Sequence, residues 1–488
     1  MSVRVRYAPS PTGLQHIGGV RTALFNYLYA RSLGGTFILR IEDTDRERYQ
    51  EDALQDIYDT FRWLGINWDE GPDVGGSFGP YFQSERKEIY QKFTGQLLET
   101  GKAYRCYCAA ERLARLRENQ AQKKSAQGYD RHCLNLTVQE RARLESLGER
   151  SVIRLKVPLE GKTAFNDLLL GDIERANEDV NPDPVLLKSD GFPTYHLANV
   201  IDDHLMQVTH ILRAQEWIPT VPVHVILYRA FEWEPPVFCH LPMVMGQDGQ
   251  KLSKRHGSTS IVDFRKLGYL PEALINHIAL LGWSYDESRE IFALRDLEKL
   301  FSLEKLNKAP AVFDYRKLEW FNGIYIREKT DASLKALIEP YLKKAGLISD
   351  PPTPEQERIV SGAVPIIKER LKLLSDASEL VGFLLKEVET YQASELIPKK
   401  LDRKKTMEAL EQVLDLLEGF ERLGDEENER RFRETADALG VKLGDLMMPL
   451  RVAVTGSRVS PPLFESIRLL GVERAKQRVM RAMEALRS

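Results

Sequence analysis

Two short stretches carry the clearest chemical signal: His16, Gly18 and Gly19 near the start, and Lys251-Leu252-Ser253-Lys254-Arg255 more than 200 residues later. A histidine and two glycines at a helix entrance suit phosphate. Free N–H groups and the positive end of the helix dipole lie there, and glycine lets an anion approach the backbone. The stretch is neither G-x-x-x-x-G-K-[ST] nor G-x-G-x-x-G, so the common NTPase and dinucleotide fingerprints do not apply. Taken alone it reads equally as a nucleotide site and as a turn with a surface histidine. The lysine run lies in a polar, glycine-bounded loop, and alone it is equally a solvated basic face. A third group, Cys106, Cys108 and Cys133, supplies three soft ligands where structural zinc takes four. Tyr129 and His132 stand nearby in the sequence, and free buried cysteines are the alternative reading.

Periodicity defines the elements that must position these groups. Val3, Val5 and Tyr7 alternate with Arg4 and Arg6, which predicts a strand. Pro9, Pro11 and Gly13 end it, and Val20, Ala23, Leu24, Tyr27, Leu28 and Arg31 then follow helical spacing. Thr36 to Ile41 reads as a buried strand ending at Glu42, and ligands gather beyond the carboxyl ends of strands in open α/β sheets. Glu42 is thus a site acid or a helix cap. An amphipathic helix is expected over 51–65, a loop over 68–83, a helix over about 84–101 and a polar helix after Cys108. Val152 to Val157, Phe165 to Leu170 and Val185 to Lys188 read as strands. A helix from Tyr195 places Tyr195, Asn199 and Asp202 on one face and leaves Leu197, Val200, Ile201 and Leu205 for the core. Val208 to Arg213 is the next strand, with Arg213 at its carboxyl end. Residues 261–326 read as helical. Beyond 330 helices replace strands, over 355–391, 405–418, 428–439 and 461–487, after a break at Pro351, Pro352 and Pro354.

The pair His16-Ile17-Gly18-Gly19 and Lys251-to-Arg255 resembles the HIGH and KMSKS signatures of class I aminoacyl-tRNA synthetases. Longer strings resemble one branch, the bacterial glutamyl-tRNA synthetases: Ala8-Pro-Ser-Pro-Thr-Gly13, Ile41-Glu-Asp-Thr-Asp-Arg46, Leu187-Lys-Ser-Asp-Gly191 and Tyr195-His-Leu-Ala-Asn199. The resemblance runs along the whole chain. It implies an α/β fold: a Rossmann-type catalytic domain with an inserted α+β acceptor-binding domain, followed by an all-α C-terminal anticodon-binding region. The implied bounds are 1–81 and 190–248 for the catalytic halves, 82–189 for the insert and 249–330 for a stem-contact domain. Helical subdomains at 331–390 and 391–488 complete the chain.

The same resemblance assigns roles. His16, Lys251 and Lys254 would be catalytic, and Pro9, His16, Gly18, Gly19, Lys251, Ser253 and Lys254 would bind ATP, with Mg2+ carried by its phosphates. Arg6, Ser10, Glu42, Tyr195, Asn199 and Arg213 would bind L-glutamate, Glu42 at the ammonium and Arg6 with Arg213 at the γ-carboxylate. Arginine suits that last task because its planar fork meets a carboxylate bidentately. Relatives with zinc complete the cysteine set with a cysteine and a nearby histidine or tyrosine, which gives Cys106, Cys108, Tyr129 and Cys133 here. Arg370 matches the position that reads the third anticodon base in members that charge only the glutamate tRNA. An RNA-binding protein without catalysis would have lost one of the two motifs. A small-molecule nucleotidyltransferase would not need the helical tail.

At 488 residues the chain exceeds one core and should hold about three to five domains. No apolar run approaches the roughly 20 residues that span a bilayer, and a basic-then-apolar signal segment is absent. Four cysteines, three of them clustered, suit a reducing compartment, so a cytoplasmic monomer with no membrane attachment is expected. The net charge of −3 argues against a polyanion partner, but from residue 451 onward eight Arg or Lys face three Glu.

Overall fold

The alternating opening residues form β1 (Arg4–Tyr7). After the proline-rich loop the chain enters α1 (Ile17–Ser32) directly behind His16, its N-cap. Strand β2 (Thr36–Leu39) pairs in parallel with β1, and α2 (Glu51–Leu64) closes on Gly65 at φ 74°, a left-handed position that favours glycine. This computed structural model describes residues 2–124 and 128–487, so 125–127 of the expected insert lie outside it. Two compact units emerge: the chain up to Phe264 with Leu274–Tyr315, and Arg265–Ala273 with the chain from Arg316 onward.

In the first unit, α3 (Lys87–Glu99) leads to β3 (Ala103–Cys106), α4 (Ala110–Gln122), α5 (Val138–Ser146) and β4 (Val152–Leu155). The strand expected over Phe165 to Leu170 is displaced. The chain forms a hairpin of β5 (Lys162–Asp167) and β6 (Gly171–Ala176) instead. The reason is local: Asp167 Oδ1 accepts from the N–H groups of Leu169 and Leu170, both at 3.0 Å, and this turns the backbone where a strand would have continued. Then come β7 (Val185–Leu187), α6 (Tyr195–Leu205), β8 (His210–Ala214), α7 (Val221–Ala230), β9 (Val237–Leu241) and β10 (Val244–Met245).

Strands β3, β4 and β7 make one antiparallel sheet, and the order β6-β5-β9-β8 makes another in which β8, β9 and β5 run parallel. Thr209 N–H donates to Arg4 O at 2.9 Å and joins β1 to the approach of β8. The parallel strands therefore run β2, β1, β8, β9, β5, an open sheet of the Rossmann kind. The hairpin at 162–176 belongs to this sheet through the Asp167–Phe238 pairing, whereas the sequence reading placed it wholly within the insert. Helix α6 buries Leu197, Ala198, Val200 and Ile201 completely, as its apolar face requires.

The run 261–326 is not continuously helical. It contains α8 (Ile261–Leu267), α9 (Pro271–Ala279), α10 (Leu294–Leu300), the short strand β11 (Ala311–Val312) and α11 (Tyr315–Glu328). From α12 (Asp331–Lys344) the described chain holds helices and no strands. The helix expected over 355–391 is two: α13 (Pro354–Ile367) and α14 (Ala377–Leu385). Between them the Asp376 carboxylate accepts from the N–H groups of Lys372 and Leu373, which bends the chain. After α15 (Ala393–Leu396), α16 (Arg403–Leu417) and α17 (Asp425–Ala438) comes α18 (Leu443–Thr455), absent from the sequence reading because Pro449 interrupts its pattern. Burial of Leu446, Leu450 and Ala453 outweighs that propensity cost. The last expected helix divides into α19 (Leu463–Leu470) and α20 (Val472–Arg487) at Gly471, φ 91°.

Candidate active site

One cleft of about 1390 Å³ is lined by all thirteen residues expected for ATP and glutamate. The two distant signatures meet through backbone hydrogen bonds. Ile17 N–H donates to Thr259 O and Ile261 N–H to Gln15 O, both at 3.0 Å, so the segment after the lysine loop docks on the loop before α1. His16 Nδ1 accepts from Gly19 N–H at 3.3 Å, which leaves the proton on Nε2 as a donor. Desolvation on the cleft wall, then the Lys251 charge, lower the His16 pKa and keep the ring neutral. The glycines are required for space: a Cβ at Gly19 would lie 2.8 Å from the Tyr7 hydroxyl, and one at Gly18 3.1 Å from the His16 ring. Pro9 is buried and Ser10 exposed on the loop that follows β1. Lys251 Nζ reaches Glu216 Oε2 at 2.5 Å, while Ser253 N–H donates to His256 Nδ1 at 3.0 Å.

The other end of the cleft is a field of buried charge. Arg6 Nε and Nη2 meet the two oxygens of Asp203, each at 3.0 Å, and Arg40 Nη1 adds a third bond to Asp203 at 2.7 Å. Burial alone would raise the Asp203 pKa, but the Arg6 and Arg40 charges hold it below the ordinary range. The bidentate edge of Arg6 is thereby spent inside the protein, and of its nitrogens only Nη1 lies outside the Asp203 pair. Asn199, with its amide turned to suit its neighbours, donates to Asp203 Oδ2 at 3.2 Å and accepts from Arg6 and Arg40 at 3.3 Å. Glu42 Oε1 accepts no hydrogen bond from the described residues and lies 3.5 Å from Arg40 Nη2. Burial raises the Glu42 pKa against the pull of Arg40. An ammonium group would satisfy that open acceptor.

Arg213 emerges from β8 and donates through Nη1 to the Tyr195 hydroxyl at 2.7 Å. The Tyr195 ring lies 4.7 Å from that of Trp217. Behind it His196 Nδ1 meets His224 Nε2 at 3.2 Å, and desolvation with the Arg213 charge lowers the His196 pKa to about 4. Asp202 does not join Tyr195 and Asn199 in the cleft. It points the other way, accepting from Arg86 Nε at 2.7 Å and from Gln83 and the Tyr90 hydroxyl at 2.8 Å. Sequence reasoning missed Arg40, Asp203 and Trp217. The signal for Arg40 was its place in an otherwise apolar buried strand, where a charge needs a partner.

The three thiols of Cys106, Cys108 and Cys133 lie within 4.8 Å of one another. The Tyr129 hydroxyl is 3.4 Å from Cys106 Sγ and 3.5 Å from Cys108 Sγ, and Cys108 and Cys133 are 3.5 Å apart. A tetrahedron with about 2.3 Å zinc–sulfur bonds has edges of about 3.8 Å, so the four donors fit. His132 is not in the set. In the second unit Arg370 ends a tight turn after α13, exposed, its side chain without a hydrogen bond or ion pair among the described residues.

The description "tRNA synthetases class I (E and Q), catalytic domain" matches residues 2–320, and an anticodon-binding domain matches 333–483. The glutamate–tRNA ligase of Treponema denticola is 56% identical over 99% of both chains. That of Borreliella burgdorferi is 53% identical over 100% of this chain and 99% of its own. The crystal structure of a glutamate tRNA ligase from Elizabethkingia meningosepticum in complex with its amino acid superposes with a TM-score of 0.87, at 34% identity over both full chains. With a catalytic match over the first 320 residues and full-length relatives above half identity, the chain belongs to the class I tRNA synthetases, in the branch of the glutamate–tRNA ligases.

Proposed function

We propose that the cleft performs the two steps of glutamate–tRNA ligation with the residues that line it. The glutamate α-carboxylate attacks the α-phosphorus of ATP, and pyrophosphate leaves with Mg2+ to give glutamyl-adenylate. A ribose hydroxyl of the terminal adenosine of glutamate tRNA, the 2′-hydroxyl in class I, then attacks the acyl carbon and expels AMP. No side chain forms a covalent intermediate. The protein contributes position and charge. His16 Nε2–H donates to a phosphate oxygen, Lys251 and Lys254 neutralise charge building on the leaving phosphates, and Pro9, Gly18, Gly19 and Ser253 shape the nucleotide end. Glu42 receives the glutamate ammonium, with Tyr195, Asn199 and Ser10 around it.

The Arg6–Asp203 pair favours dividing the arginine roles unequally. Arg213 carries the γ-carboxylate contact, and Arg6, tied to Asp203 through Nε and Nη2, adds at most the N–H groups of Nη1. The Cys106, Cys108, Tyr129 and Cys133 cluster would hold a structural Zn2+, which supplies folding free energy and takes no part in the reaction. Arg370 would favour glutamate tRNA over glutamine tRNA. No helix among the described residues is long and apolar enough to cross a membrane. The four free cysteines suit a reducing compartment, the cytoplasm, and we read the chain as a monomer.

One observation carries this reading: residues separated by some 200 positions converge on a single cleft. Pyrophosphate exchange with and without tRNA, for glutamate, glutamine and aspartate in turn, tests it. Exchange with glutamate alone among the three is expected. Exchange with glutamine or aspartate at a comparable rate would overturn it.

A further inference from the structure

Arg213 is braced from behind by a buried imidazole. Its Nε–H donates to His240 Nε2 at 3.1 Å, and the other ring nitrogen, Nδ1, meets Asp167 Oδ2 at 2.7 Å. Three neighbouring strands supply the three residues: Arg213 is paired with His240 across β8 and β9, and Asp167 stands at the end of β5 beside β9. His240 is 0% and Asp167 1% exposed. The carboxylate accepts from His240 N–H at 2.9 Å as well as from the ring and from Leu169 and Leu170. Burial raises its pKa, yet the His240 and backbone hydrogen bonds hold it below the ordinary range. An ionised carboxylate only accepts, so the imidazole proton is on Nδ1 and Nε2 turns its lone pair to Arg213. Desolvation keeps the ring neutral.

The choice of an imidazole has a consequence for charge. A carboxylate placed directly on Arg213 would cancel its charge, as Asp203 does for Arg6. A neutral imidazole satisfies the buried Nε–H and fixes the guanidinium plane while leaving the positive charge for an incoming anion. It also occupies Nε, so a substrate carboxylate can engage Arg213 only through the N–H groups of Nη1 and Nη2 beyond those that meet the Tyr195 hydroxyl, Trp217 O and Thr220 Oγ1, all of them uncharged partners. We propose that His240, oriented by Asp167, is a positioning residue that aims Arg213 and thereby sets the preference for a carboxylate over a carboxamide side chain in the amino acid. The inference rests on Arg213 being the partner of that carboxylate.

Three variants test it in tRNA aminoacylation. His240→Asn keeps a donor for Asp167 and removes the acceptor for Arg213; His240→Gln puts an amide oxygen near the place of Nε2. With His240→Asn the glutamate KM should rise about 10-fold to 100-fold, with kcat and the ATP KM nearly unchanged and the preference for glutamate over glutamine reduced. His240→Gln should recover most of the loss. A normal glutamate KM in His240→Asn, with Arg213→Ala strongly impaired, overturns the proposal and leaves the site reading intact. A normal glutamate KM in Arg213→Ala overturns the site reading and the proposal with it. Equal damage to the KM of ATP and glutamate, with a lowered melting temperature in both His240 variants, marks a packing role and also overturns it.

Discussion

Lys251 and Lys254 are three positions apart but differ in what holds them. Lys251 is tied to Glu216, whereas the Lys254 side chain is exposed and makes no hydrogen bond or ion pair among the described residues. Replacing Lys254 by Ala should therefore leave stability untouched and remove only charge stabilisation in the transition state. The expected cost is about 2.7–4 kcal/mol of barrier, read as kcat for pyrophosphate exchange. A rate within twofold of the unmodified enzyme would show that this loop does not serve ATP. Acid sensitivity is a second residue-scale outcome. Desolvation lowers the pKa values of His196, to about 4, and of His224 and His240. In the unfolded chain these rings take protons below about pH 6.5, so the unfolded state binds more protons there and stability falls as pH drops. The window for His196 runs from about 6.5 down to about 4, with a slope of at most about 1.4 kcal/mol per pH unit. Urea midpoints measured from pH 7.5 to 5 should decline, and His196→Gln should flatten the decline. An unchanged slope in that variant would mean His196 is protonated in the folded protein.

At the scale of elements, the sequence announced the strand, loop and helix around His16 because alternation, proline and helical spacing follow one another without conflict. Glu42, Tyr195, Asn199 and Arg213 were legible for a similar reason, each standing at a strand end or on a helix face that the apolar residues leave open. What stayed hidden depends on side chains folding back on backbone. Asp167 turns the chain after β5, and Asp376 breaks one expected helix into α13 and α14. Neither effect has a period. The Arg6–Asp203 pair was hidden because it joins β1 to α6 across nearly 200 residues. The cysteine cluster is the intermediate case: spacing gave the thiols, the family resemblance offered Tyr129 as the fourth donor, and the fold brings its hydroxyl within 3.4 Å of Cys106 Sγ and 3.5 Å of Cys108 Sγ. Protein purified without chelator should hold one zinc per chain by elemental analysis, and Cys133→Ser should lower both zinc content and melting temperature. Metal-free protein from that preparation would exclude the site.

Across the whole molecule, the −3 net charge means that tRNA is not gathered by a general positive field. The basic excess of the last residues is partly internal. Arg478 is fully buried on the carbonyls of Val454 and Lys386, Arg458 donates to those of Ser394 and Glu395, and Arg474 and Arg481 share Glu387. Recognition in the helical unit would then fall to cations the fold has not used. Arg370 is one, exposed at the end of its turn, and its charge lowers the pKa of Arg451 after burial has done so. Arg451 is itself committed to Ser460 and Pro461. The anticodons of the glutamate and glutamine tRNAs differ at the third base, C against G. A guanidinium can donate to the carbonyl oxygen and ring nitrogen of cytosine together, while at the same two places guanine turns the N–H groups of N2 and N1 toward it. A contact of this kind is worth roughly 1–3 kcal/mol of discrimination. The unmodified enzyme should thus charge glutamate tRNA with a kcat/KM about 5-fold to 150-fold above that for glutamine tRNA, and Arg370→Gln should bring the two together chiefly by raising the second. Equal kcat/KM on both tRNAs before any substitution would remove Arg370 from that role.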